Sequence, residues 1–267
     1  ISLFMSLSLV PILLTKRKAP NFKKISGMKL KEVYKSSPFG VVSSFLIGIS
    51  HSAVFSLIAV YATSMNFSIL EVSIVTFLFA ISGAISQWPI GKLSDVLDRR
   101  IVIIYTTFGA ALFCFLAIIS SGQMYMPAGL ATSKIFFYIC IMCFSFCSLP
   151  MFALIFAHTN DFIPKEKFVA AGAGLQFVFG LGAICGPFMC SLFMEFLGEN
   201  GFFIFLIIFH SFIGLFGIYR MQIRESGDNP DSQFAPMPQT ITPAGIELNP
   251  STEPIDEPNN LNEFKKI

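Results

Sequence analysis

A chain of 267 residues that is 54% hydrophobic and only 13% charged, with 32 Phe and one Trp, has too few polar side chains to cover a soluble surface. That composition excludes a water-soluble globular domain and points to an all-α polytopic membrane protein. The net charge of +2 says little, because the distribution of charge carries the information.

Seven hydrophobic segments follow one another along the chain, near 1–14, 38–64, 69–90, 101–121, 134–157, 168–195 and 201–219. All but the first have about the 20 residues that cross a bilayer core as helix. The chain starts at Ile1, already within a hydrophobic segment, so 1–14 reads as a partial transmembrane helix whose protein continues upstream. Residues 15–37 form a basic linker, "TKRKAPNFKKISGMKLKEVYK" holding eight Lys and Arg against one Glu. It lacks aromatic interleaving, so it reads as a topology determinant facing anionic lipid and not as a nucleic-acid surface. Residues 38–220 carry six spans. Residues 221–267 are rich in Pro and acids, cannot bury enough apolar surface to offset chain entropy, and read as a disordered tail.

Alternating the spans across a bilayer puts 15–37, 91–100, 158–167 and the tail on one side. Seventeen of the 18 Lys and Arg then lie there, leaving only Lys134 opposite. By the positive-inside rule that side is cytoplasmic, as is the C-terminus. All six cysteines fall inside apolar runs. Cys140, Cys143 and Cys147 share a helical face, but no His or acid sits beside them, so they read as small hydrophobes and no metal is expected.

The stretch "GKLSDVLDRR" (91–100) packs five charges between two apolar runs and reads as a connection of about ten residues. Gly91 permits close backbone approach, Asp95 can face the positive N-terminal end of a helix, and Arg99 and Arg100 can grip a carboxylate. A lone DRR would be an ordinary membrane anchor; the pattern G-x-L-S-D-x-x-x-R-R between two spans is more specific.

That pattern resembles the signature cytoplasmic loop of the major facilitator superfamily (MFS), roughly G-x-L-[AS]-D-[RK]-x-G-[RK]-R. Val96 stands where the family has a basic residue, and Asp98 where it has Gly. "AHTNDFIPKEKFVAAGAGL" (157–175) looks like a later cytoplasmic loop of the same family, and "GLGAICGP" (180–187) like the G-x-x-x-G-P element of its eleventh helix. The wording "QWPIGKLSDVLDRR" is closest to the YcaD-like bacterial permeases. The resemblance implies the C-terminal six-helix bundle of a twelve-helix MFS fold, preceded by part of helix six, with the loop joining helices eight and nine. It further implies secondary active transport of a small organic solute by alternating access, coupled to protons, in a bacterial inner membrane. The partners implied are the bilayer and the N-terminal half of the same transporter. Gly91, Asp95, Arg99, Arg100 and Asp161 would form a conformational latch, with Arg99 or Arg100 paired to Asp161 and Asp95 turned toward the N-terminal half.

Ionisable groups at bilayer depth are costly and default to functional candidates. His51 is central in 38–64, beside a stripe of Ser44, Gly48, Ser52 and Ser56; it reads either as a cavity group or as an interhelical hydrogen-bond partner. Gln176, on the face of the helix that lines the cavity in the family, is a candidate substrate contact, and Tyr61, near Asn66 and Glu71, a candidate outer gate. His210 is set aside because the family's twelfth helix is peripheral. Gly182 and Gly186 suit close helix packing, and Pro187 and Pro150 predict kinks. The glycines lie within hydrophobic spans and no Walker motif occurs, so no nucleotide or other cofactor is expected. His51 and His210 lack the companions an intramembrane enzyme needs. A non-transporting half-size membrane scaffold or regulator is the alternative reading.

Overall fold

A computed structural model describes residues 28–124, 130–227 and 234–237. The 1–14 segment, most of the 15–37 linker and most of the 221–267 tail lie outside them. The helices are α1 (Leu30–Ser36), α2 (Pro38–Ser64), α3 (Ile69–Val96), α4 (Arg99–Met124), α5 (Leu130–Ser148), α6 (Met151–Asn160), α7 (Phe168–Leu197) and α8 (Gly201–Ile223). No strand occurs among the described residues. Six stretches are long and apolar enough to span a membrane, the fourth being α5 and α6 together. The protein is an all-α polytopic membrane protein.

Local chemistry sets most of the helix ends. Ser37 accepts a hydrogen bond from the Gly40 N–H at 3.2 Å and Pro38 occupies the first turn, which starts α2. Asn66 takes a left-handed φ of 59° in the turn that follows α2, a conformation Asn tolerates. Ser68 and Glu71 form a reciprocal capping box that starts α3. Gly198, at φ 68°, ends α7. The fourth span breaks at Leu149–Pro150, where the ring nitrogen has no hydrogen to donate, whereas α3 runs through Pro89 and α7 through Pro187.

In the bundle α2 packs on α8, α8 on α4, α4 on α5, α5 on α3 and α3 back on α2, while α7 packs against α2 and α8. The tightest seam joins α2 to α7. A Cβ on Gly182 would strike the Phe45 carbonyl and come within 3.0 Å of the Ile49 amide; one on Gly186 would strike the Ile49 carbonyl and Ser52. Across the same seam Gly48 faces the Phe179 backbone, and Ser44 Oγ donates to the Leu175 carbonyl at 2.9 Å. With lipid no less apolar than Leu, such backbone approach and interhelical hydrogen bonding hold the helices together. On the other side Ser82 Oγ donates to the Met142 carbonyl at 2.6 Å and Ser145 Oγ to that of Phe79, joining α3 to α5.

Two features depart from the sequence reading. The 28–37 end of the basic linker is not simple connection: α1 folds back and buries Val33 completely against Phe156, Phe168 and Leu175. The six-span unit extends past 220, since α8 continues to Ile223, and Phe234 and Met237 of the tail pack against the same end of the bundle.

Candidate functional site

The 91–100 stretch is almost entirely helical, not a ten-residue connection. Helix α3 continues to Val96 and α4 begins at Arg99, leaving Leu97 and Asp98 between them. So short a link works because Asp98 caps α4: its Oδ1 accepts from the Arg100 backbone N–H at 2.9 Å, and its carbonyl accepts from the Val102 N–H. The Arg100 guanidinium pairs with the same carboxylate at 2.7 Å and donates to the Arg224 carbonyl at 2.6 Å. Asp98 stands where the family pattern has Gly; the turn is made by side-chain capping and not by backbone freedom.

Burial works to raise the Asp98 carboxyl, but Arg100 outweighs it and holds the group below its ordinary value of 3.8. A lowered folded-state value means that the cap's stabilisation is complete above the ordinary carboxylate range and is lost as pH falls through the lowered value. Wild-type protein in detergent is therefore expected to lose stability below about pH 4 more steeply than Asp98→Asn. Parallel acid-unfolding curves for the two would refute this assignment.

Arg99 is the hub of this end. Its Nη1 lies 2.6 Å from Asp161 Oδ1 and donates to the Ala157 carbonyl at 3.0 Å; its Nη2 lies 2.8 Å from Asp95 Oδ1. One guanidinium, 8% exposed, therefore ties the end of α3 and the start of α4 to the end of α6. The pair expected between this stretch and Asp161 is made by Arg99, while Arg100 turns to Asp98 and α8. Asp95, besides Arg99, accepts from the Phe234 N–H at 2.9 Å, and the Phe234 ring lies against Gly91 where a Cβ would collide with it.

The polar residues at bilayer depth sort differently. His51 is 1% exposed and Tyr61 fully buried, so both lie inside the bundle and not on an exposed wall. Tyr61 stacks between Phe137 and Phe202, with Phe203 edge-on, in the core near the opposite end. His51 Nε2 is 3.1 Å from both the carbonyl and the Oγ of Ser148. Ser148 Oγ is 2.8 Å from His210 Nε2, and His210 Nδ1 is 2.9 Å from the Leu206 carbonyl. A carbonyl only accepts, so His210 Nδ1 donates to Leu206, Ser148 donates to His210 Nε2, and His51 Nε2–H donates to Ser148. This chain joins α2, α5 and α8, which makes His51 an interhelical hydrogen-bond partner. His210, set aside on the sequence, is fully buried at its far end. Linear spacing carried no signal for it, since its partners on other helices, Ser148 and Ser50, lie 62 and 160 residues away. Gln176 is half-buried on α7. At the opposite end Lys134 Nζ pairs with Glu71 at 2.7 Å, linking α3 to α5.

Comparison with known proteins agrees with this architecture. The family model of the Major Facilitator Superfamily matches residues 5–254. The chain is 23% identical over 201 residues to the uncharacterized MFS-type transporter YE1530 of Yersinia enterocolitica, covering 75% of this chain and 47% of that protein. It is 26% identical over 191 residues to the uncharacterized MFS-type transporter YfkF of Bacillus subtilis, covering 68% and 45%. The chain thus spans about half the length of the relatives it matches. No solved structure matches it significantly. A family match over nearly the whole chain, on an all-helical bundle of six spans, means that the chain belongs to the major facilitator superfamily.

Proposed function

We propose that this chain is the C-terminal half of a twelve-helix secondary active transporter of the YcaD-like group. It moves a small organic solute by alternating access, coupled to protons, in a bacterial inner membrane with the charged end and C-terminus cytoplasmic. Residues 1–14 would belong to helix six and 15–37 to the linker between halves. The match to about half of each relative's length supports this reading.

The observation that carries the transport mechanism is the Arg99 bridge between Asp95 and Asp161. It ties the second and third spans of the bundle to the fourth at one end, where a rocking transporter needs a fastening that makes and breaks. Gly91, Asp95, Arg99, Arg100 and Asp161 act as a latch, closed when the cavity faces outward. Of the cavity candidates, Gln176 is the one on a partly open face. The latch biases a two-state equilibrium without touching substrate.

In the full-length transporter, Asp95→Asn is expected to cut uptake by about tenfold or more while leaving membrane insertion and substrate binding intact. Normal transport by that variant would leave the charged stretch as a topology anchor. Reading the coding sequence upstream of Ile1 tests the half-transporter reading separately. Six further spans with a second such motif support it, and their absence favours the scaffold.

A further inference from the structure

Beside the latch, and sharing Arg100 with it, a small cleft opens between the start of α2, the start of α4 and the ends of α6 and α8. Arg100, Arg220 and Arg224 line it, and Glu225 is the only acid among the lining residues. Arg100 is held by Asp98, and Arg224 donates to the Ser36 carbonyl at 2.5 Å with its guanidinium 4.1 Å above the Phe162 ring. Arg220 makes no ion pair among the described residues. Two cations are thus pinned at the rim by other contacts, and a third reaches it without a protein anion.

The wall of the cleft is as informative as its charge. His158 lines it while only 4% exposed; Phe39 and Phe162 hold its ring edge-on at 5.1 Å on either side. His158 has no hydrogen-bond partner among the described residues. The first turn of α2, a helix of 27 residues, begins at the cleft with Ser37 and Pro38. A nearly buried imidazole without a partner, the positive end of a long helix and an arginine without an acid converge on one small space. That combination suits an oxyanion.

We propose that this cleft binds the phosphate of an anionic phospholipid headgroup. The lipid, and not a soluble anion, is favoured by what adjoins the cleft. Along α8, Leu215 and Tyr219 remain 57% and 56% exposed, and Phe216, one turn from Arg220, packs beside Phe39. An acyl chain can follow this apolar strip while the headgroup sits on the arginines, the arrangement by which basic pockets between membrane helices hold lipid. A bound headgroup would join α2, α4 and α8 at the end where Arg99 joins α3, α4 and α6.

The test uses the delipidated full chain in a neutral detergent, with retained lipid counted by native mass spectrometry. Dioleoylphosphatidylglycerol is expected to bind with higher affinity than dioleoylphosphatidylcholine and to resist displacement by inorganic phosphate. Arg220→Gln should weaken phosphatidylglycerol binding about fivefold, the effect of one basic residue at an anionic lipid surface, while Arg220→Lys restores much of it. Lys165→Gln, a change at a half-buried cation outside the cleft, should leave binding unchanged. Equal affinity for the two lipids, or unaltered binding by Arg220→Gln, overturns the proposal. Displacement by inorganic phosphate at comparable concentration also overturns it, in favour of a soluble-anion site.

Discussion

Arg99→Met is expected to destabilise the bundle by about 3 kcal/mol, more than any other single change at its charged end. The side chains of Arg99 and Asp161 are 8% and 12% exposed, so removing the guanidinium strands a carboxylate with little water to replace it. The Ala157 carbonyl and Asp95 lose a donor in the same step. Breaking a buried pair costs more than the pair itself contributes, because the surviving charge keeps its desolvation penalty. For the same reason Arg99→Met combined with Asp161→Leu should recover much of the loss. Denaturant unfolding in detergent micelles, run as a double-mutant cycle, measures both effects. A loss below about 1 kcal/mol for the single variant would put the pair in the class of exposed surface bridges and remove Arg99 as the hub.

Gly182→Val should damage a different part of the molecule. Even the first carbon of a side chain at Gly182 would meet the Phe45 carbonyl and crowd the Ile49 amide, both of them backbone. Backbone cannot swing aside as a flexible side chain does, so α2 and α7 must separate. Overpacking of this kind costs about 1–3 kcal/mol, and here it also weakens the Ser44–Leu175 hydrogen bond across the seam. Gly180→Val is the control, since a Cβ at Gly180 meets nothing within 4 Å. Melting temperatures of the two variants should differ by several degrees, with Gly182→Val the lower. Equal melting temperatures would mean that the α2–α7 approach is looser than described.

These two sites were legible in the sequence to different degrees. Gly182 and Gly186 stood out because small residues inside an apolar span have few uses besides close helix approach. The pairing of the charged stretch with Asp161 came from a family resemblance and not from spacing, since 62 residues separate Arg99 from its partner. Which arginine would make the pair was undetermined, because adjacent helical residues point about 100° apart and only the packing of α4 against α6 selects one. The role of Asp98 was missed for a related reason. Taken as a departure from a glycine pattern, it gave no hint that its carboxylate would cap the next helix.

The sequence by itself determined the class of the protein, its six long spans and the concentration of charge at one end. These follow from hydrophobic length and the cost of charge in a bilayer, which are properties of consecutive residues. Tertiary structure alone decided which polar side chains face one another. His51 joined Ser148 and His210 in the interior, Tyr61 took its place in an aromatic stack, and Val33 was buried from within a linker that reads as polar. In a bilayer almost every face of a span is apolar, so hydrophobic periodicity loses the contrast that marks the buried side of a helix in water. Which face is inside is then settled by backbone approach at glycine and by hydrogen bonds between helices, and both require the partner helix to be in place.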